Sequence, residues 1–118
     1  MKVLLVDDEK EMVETQAERL SLRGIEADWV THGMGAITHV NKRKYDVVVL
    51  DAKMPGMSGL ETMKQIHGIR PGTKVIILTG HGSASECEAG IEAGACFYLM
   101  KPVNLEELIE KMHEVAES

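Results

Sequence analysis

Val47-Val48-Val49-Leu50-Asp51-Ala52-Lys53-Met54-Pro55-Gly56-Met57-Ser58-Gly59 is the stretch that decides the fold. Its four leading residues are apolar and mostly β-branched, which suits a short strand. A strand apolar at every position has both faces covered, as in a parallel sheet with helices on either side. An acid ends the run, and a Pro- and Gly-containing loop follows. Ser58 with Glu61 then makes a capping-box pattern that starts a helix. A buried strand that ends in a carboxylate and hands over to a helix is one unit of an open α/β sheet.

The same unit recurs on both sides of it. Val3–Val6, Ile25–Val30, Val75–Leu78 and Phe97–Met100 are further short apolar runs. Segments with helical spacing lie between them. Met12, Val13, Ala17 and Leu20 form one stripe, and Leu105, Leu108, Ile109, Met112 and Val115 another. Ser83 with Glu86 and Asn104 with Glu107 repeat the capping pattern, and Gly24 stands where a left-handed residue closes the first helix. A helix of about twelve residues returns the chain about 18 Å, the length of a five-residue strand. Every strand then points the same way. Ile25–Val30 largely alternates, with Ile25, Ala27 and Trp29 set against Glu26 and Asp28, so it is expected at an edge. The fold predicted is an α/β doubly wound, five-stranded parallel sheet of order 2-1-3-4-5, flavodoxin-like, with helices on both faces. The 118 residues fit one domain, 1–118, with no visible linker or repeat.

Composition narrows the function classes. Four aromatics, Trp29, Tyr45, Phe97 and Tyr98, leave an aliphatic core with eight Met residues as gap fillers. The formal net charge of −6 argues against direct binding of nucleic acid, which needs clustered cations. Lys42-Arg43-Lys44 reads as the cationic end of a helix rather than a binding patch. Cys87 and Cys96 lack a metal-binding spacing and are expected as buried or half-buried free thiols. No run is long enough to span a membrane, and Met1-Lys2 precedes only four apolar residues, so no signal peptide is readable. A cytoplasmic location is the default expectation.

With parallel strands, the polar residues that follow them gather at one edge, where such sheets bind ligands. Asp7 and Asp8 follow the first strand, Asp51 ends the third, Thr79 ends the fourth and Lys101 follows the fifth. Three converging carboxylates repel one another, and a hard cation with oxygen ligands relieves this; Mg2+ suits a site with few protein ligands and several waters. Carboxylates, Mg2+, a lysine and a hydroxyl are the parts of a phosphoryl-transfer site. Asp51 is the candidate nucleophile, giving an aspartyl phosphate.

Leu5-Val6-Asp7-Asp8-Glu9, Leu50 to Gly59, Leu78-Thr79-Gly80 and Tyr98-Leu99-Met100-Lys101-Pro102 together resemble the four signature stretches of response-regulator receivers, in order and at family spacing, over essentially the whole chain. The resemblance implies a phosphoacceptor of two-component signal transduction. Asp51 would take a phosphoryl group from a sensor histidine kinase or phosphotransfer protein. Asp8, Asp51 and the Lys53 carbonyl would ligate Mg2+, with Asp7 acting through water. Lys101 would pair with the phosphoryl group, and Lys101–Pro102 would be cis. Thr79 and Tyr98 would form a switch that reshapes the face of the fourth helix, fifth strand and fifth helix for an output domain or partner protein. Such a domain is not an enzyme toward other substrates; it promotes only its own Mg-dependent phosphorylation and dephosphorylation.

The chain also departs from the family pattern. Ala95 and Cys96 stand where DNA-binding receivers that dimerise through the last helices commonly carry an acidic pair. The stretch Thr79-Gly80-His81-Gly82-Ser83 is more similar to receivers attached to ATPase-type activators or hybrid kinases. Lys53 reads first as a solvated loop lysine, His81 as an exposed loop residue, and Met54 and Met57 as loop packing. A receiver without chemistry would lack Asp51, the acidic pair or Lys101, and none is missing. A flavoprotein of the same sheet order would want a Ser/Thr/Gly-rich phosphate loop where this chain has Asp7-Asp8-Glu9-Lys10. An aspartate-nucleophile phosphatase would want a second acid where Lys53 stands. The chain reads equally as a single-domain regulator or as a receiver cut from a longer protein.

Overall fold

A computed structural model of the chain describes residues 1–80 and 84–118, and of 84–87 the backbone only. His81 and the Ser83–Glu86 capping pattern therefore lie outside the described residues, as does the Cys87 side chain. Ten elements alternate: β1 (Lys2–Val6), α1 (Lys10–Leu22), β2 (Glu26–Val30), α2 (Gly33–Lys42), β3 (Val47–Asp51), α3 (Gly59–Ile69), β4 (Lys74–Thr79), α4 (Ala84–Glu92), β5 (Phe97–Met100) and α5 (Leu105–Glu117). The sheet is parallel in order β2-β1-β3-β4-β5, as the sequence predicts. Ile25 falls just outside β2.

The two-residue period of a strand sorts the core. Val3, Leu5, Val47, Val49, Ile76, Leu78 and Leu99 face one side, under α1 and α5. Leu4, Val6, Val48, Leu50, Val75 and Ile77 face the other, with Ala36 and Val40 of α2 and Met63 and Ile66 of α3. All five residues of β3 are buried, while β2 is mostly half-exposed, which accounts for its alternating sequence.

Helix ends follow their sequence signals. The Ser58 hydroxyl accepts from the Glu61 N–H at 3.2 Å and donates to Glu61 Oε1 at 3.3 Å. Asn104 Oδ1 accepts from the N–H groups of Glu106 and Glu107. Gly24, at φ +79°, closes α1: its N–H donates to Ser21 O and that of Ile25 to Leu20 O. Lys42 lies in the last turn of α2 and Arg43 is its C-cap, as expected of cations at a helix end, and the Arg43 guanidinium also pairs with Asp28 of β2 at 3.1 Å. Cys96 corrects an expectation: its thiol is free and exposed, because it stands in the short connection into edge strand β5.

Candidate functional site

Sheet register brings the polar residues together. Val6 pairs with Leu50, so Asp7 and Asp51 leave adjacent strands at the same level. Asp51 pairs with Leu78, which places Thr79 one residue beyond it. Thr79 pairs with Met100 and its carbonyl accepts from the Lys101 N–H at 2.7 Å, which carries Lys101 back toward the centre of the edge. The loop after β3 is held closely too. Ala52 N–H donates to Leu78 O and Gly59 N–H to Ala52 O. A Cβ on Gly59 would fall on the Asp51 carbonyl oxygen, so only glycine lets α3 begin there.

At the centre, Lys101 Nζ lies 3.2 Å from Asp7 Oδ2 and 3.2 Å from Asp51 Oδ1. Asp7, Asp51 and Thr79 are buried, Lys101 is half-buried, and Asp8 is exposed. Asp7 is further fixed by the Glu9 N–H, which donates to its Oδ1 at 3.0 Å. Asp7, Asp8 and Asp51 each offer a carboxylate oxygen within 4.8 Å of the others. Burial pushes the Asp51 carboxyl above the ordinary carboxylate range. The Lys101 charge opposes this, the Asp7 charge adds to it, and hydrogen bonds from Lys101 and the Lys53 backbone N–H favour the ionised form without reversing the shift. Burial alone would lower the Lys101 ammonium, but Asp7 and Asp51 outweigh it and hold that group above its ordinary value.

Three carboxylates against one ammonium leave two negative charges in excess when all are ionised. The donors are hard oxygens, partly open to solvent through Asp8. Such a set fits a small divalent cation that keeps some of its waters. The chemistry available is charge compensation around one nucleophilic carboxylate.

The other sequence candidates lie around this centre. Lys53 is exposed, Met54 is buried in the core of the α3 face, and Met57 touches the α2 start at Gly33. Lys101–Pro102 is cis. Tyr98 is half-buried on β5, on the side of α4. Gly90 of α4, as an interior glycine, reads in sequence only as a cost to its helix. It is buried, and a Cβ there would stand 2.6 Å from Tyr98 Cε2. No local pattern could have signalled that, since the ring belongs to another element.

The chain is similar to many known proteins. It is 35% identical over 116 residues to the transcriptional regulatory protein TcrA of Mycobacterium tuberculosis, covering 98% of this chain and 46% of that one. It spans about half the length of the curated relatives it matches. Among solved structures, a CheY-like response regulator receiver domain protein from Methanospirillum hungatei superposes with a TM-score of 0.92 at 30% identity, over 98% of this chain and 93% of that one. The BeF3-activated DrrB receiver domain superposes at 0.87 with 32% identity, over 99% and 97%. Residues 3–113, which include all of the sheet but Lys2 and every member of the polar cluster, match the response regulator receiver domain, and the chain belongs to that family of two-component signalling proteins.

Proposed function

We propose that Asp51 is the phosphoacceptor and that Asp7, Asp8, Thr79 and Lys101 serve it. The observation that carries this reading is Lys101 bridging Asp7 and Asp51 at 3.2 Å beside Asp8. An Asp51 oxygen attacks the phosphorus of a phosphohistidine on a kinase or phosphotransfer protein. The O–P bond forms as the P–N bond breaks, and the imidazole leaves with the electron pair and takes up a proton. The Lys101 ammonium turns from Asp51 to a phosphoryl oxygen, and the Thr79 hydroxyl donates to another. Asp8, Asp51 and the Lys53 carbonyl would hold Mg2+, with Asp7 reaching it through water; when bound, the ion offsets the carboxylate charge and lets an anionic phosphoryl group approach. Hydrolysis reverses the state: water attacks phosphorus and the Asp51 carboxylate leaves.

The partners of this reading are a sensor histidine kinase or phosphotransfer protein upstream, and an output domain or partner protein downstream, in the cytoplasm. No helix among the described residues is long and apolar enough to cross a membrane. Thr79 ends β4 and Tyr98 lies near the start of the neighbouring strand β5, opposite Ile77; in this reading a Thr79 drawn toward the phosphoryl group frees space for Tyr98 to turn, and the α4–β5–α5 face changes shape. A charge-assisted hydrogen bond contributes about 1.5–3 kcal/mol, whereas moving a population from 1:99 to 99:1 takes about 5.5 kcal/mol. Thr79 therefore acts with Lys101 and the ion.

Incubation with acetyl phosphate tests the reading. Intact-mass measurement should show one added phosphoryl group with Mg2+ present, little with EDTA, and none in Asp51→Asn. Phosphorylation that survives Asp51→Asn would move the acceptor elsewhere.

A further inference from the structure

Gly90 sits in the last turn of α4, and two sets of contacts fix it. Its carbonyl accepts from the Ala95 N–H at 3.0 Å while Gly94, at φ +118°, donates to Ile91 O. That bond pair ends the helix and sends the chain directly into β5. Its Cα faces the Tyr98 ring: a Cβ there would lie 2.6 Å from Cε2, 2.9 Å from Cδ2 and 3.8 Å from Cζ. Carbon atoms in contact stand about 3.5–4.0 Å apart, so a methyl group and the ring cannot share this place. Tyr98 folds back over the helix end from which its own strand emerged. Among the described residues, β5 is the element against which α4 packs most closely, and this contact lies in the seam between α4 and the sheet.

We infer that Gly90 is the positioning residue of Tyr98: the side chain it lacks leaves a slot in α4 that holds the ring, so that the ring's turn toward Thr79 and the seating of α4 are one event. The slot stands on the geometry alone; its link to the modification of Asp51 rests on the function proposed above. An empty slot would leave atoms on both sides without partners, so α4 follows when the ring leaves. A methyl at position 90 denies the ring its place whatever the state of Asp51. It removes the form in which the ring is held and favours the turned form.

The test compares two helix glycines. Gly68 of α3 is exposed, and a Cβ there meets nothing within 4 Å. Gly68→Ala reports the helix-propensity gain alone, with a slightly raised denaturation midpoint. Gly90→Ala adds the collision. Ring-labelled tyrosine NMR reads it directly, because the chain has only two tyrosines and the other, Tyr45, is buried at 3% exposure and remote in the chain. We expect the Tyr98 ring signals to move in Gly90→Ala and to stay in Gly68→Ala, with Tyr45 unchanged in both. Beryllofluoride with Mg2+ should bind Gly90→Ala at least threefold tighter than wild type.

Unmoved Tyr98 signals in Gly90→Ala, or moved signals with unchanged beryllofluoride affinity, would overturn the inference. If wild type binds no beryllofluoride, the phosphoacceptor reading fails, and the ring signals still decide the slot. If Gly90→Ala does not fold, Gly90→Ala/Tyr98→Ala decides: a restored fold upholds the slot, and a chain still unfolded refutes it.

Discussion

α4 and α5 flank the same edge strand and are held to it by different means. α5 runs 13 residues, is capped by Asn104, carries Glu106 and Glu107 in its first turn, and buries Leu108, Met112 and Val115. α4 runs nine residues, leaves Ile91 48% exposed, and meets β5 through a glycine. The sequences explain this: LEELIEKMHEVAE places large apolar residues on one stripe, while ASECEAGIE offers little to bury. The switch proposed above for β5 needs one side that holds and another that yields. The difference assigns holding to α5 and yielding to α4.

The largest expected effect tests the holding side. Leu108 and Met112 are fully buried between α5 and the sheet. Truncating either to Ala should cost about 2–5 kcal/mol by urea denaturation. Ile91→Ala on α4 should stay within about 0.5 kcal/mol, as surface substitutions do. Similar losses from both helices would erase the contrast.

Mg2+ sharpens the comparison in another way. Binding to the native state alone adds about 2.7 kcal/mol at a hundredfold excess over Kd. The Asp7–Asp8–Asp51 cluster is on the β1–β3 edge, and the increment should vanish in Asp51→Asn. Amides that exchange only by global unfolding, as we expect for α5, should slow about a hundredfold. Amides of α4, which we expect to open locally through its seam at Gly90, should exchange faster than those of α5 and slow far less. Equal slowing in the two helices would mean that α4 opens only with the whole domain.

Much of the fold and site was legible in the sequence because each candidate ends or follows an apolar run. Asp7, Asp51, Thr79 and Lys101 are placed to the residue by where Val3–Val6, Val47–Leu50, Val75–Leu78 and Phe97–Met100 stop, and a parallel sheet puts those ends together. Contacts between distant elements were not legible. Gly90 reads in sequence as a cost to its helix, and only the ring across the seam gives it a purpose. Cys96 reads as a small hydrophobe and is exposed because β5 is an edge. Arg43 reads as a helix-end cation, and its Asp28 partner lies 15 residues away on β2.

A smaller effect concerns the start of α5. Asn104 Oδ1 satisfies two of the N–H groups that a helix leaves unpaired at its first turn. Asn104→Ala should cost about 1 kcal/mol, read as a lower urea midpoint with an unchanged slope. The loss should appear as faster exchange in the first turn of α5, with α4 unaffected. A matching change in α4 would show the two helices to be one cooperative unit.

The smallest effect lies on the face of β5 opposite Tyr98. Lys111 Nζ stands 4.4 Å from the centre of the Phe97 ring and 3.2 Å from Glu114 Oε2. Phe97 points to the α5 side of the sheet and Tyr98 to the α4 side, so neighbouring residues of one strand report the two seams. The ammonium over the ring is partly desolvated, and such a contact contributes about 0.5–1 kcal/mol at an exposed site; the pair with Glu114 adds at most a few tenths. A double-mutant cycle of Lys111→Met and Phe97→Leu isolates the first, because the Lys111–Glu114 loss is common to both backgrounds. The coupling should be about 0.5 kcal/mol and should fall little in high salt, since the ring's attraction acts at short range. A coupling of zero would remove this tie, leaving α5 to hold β5 by buried apolar contact alone. A coupling that vanished only on adding beryllofluoride would show that the α5 seam moves as well, against the division drawn between the two helices.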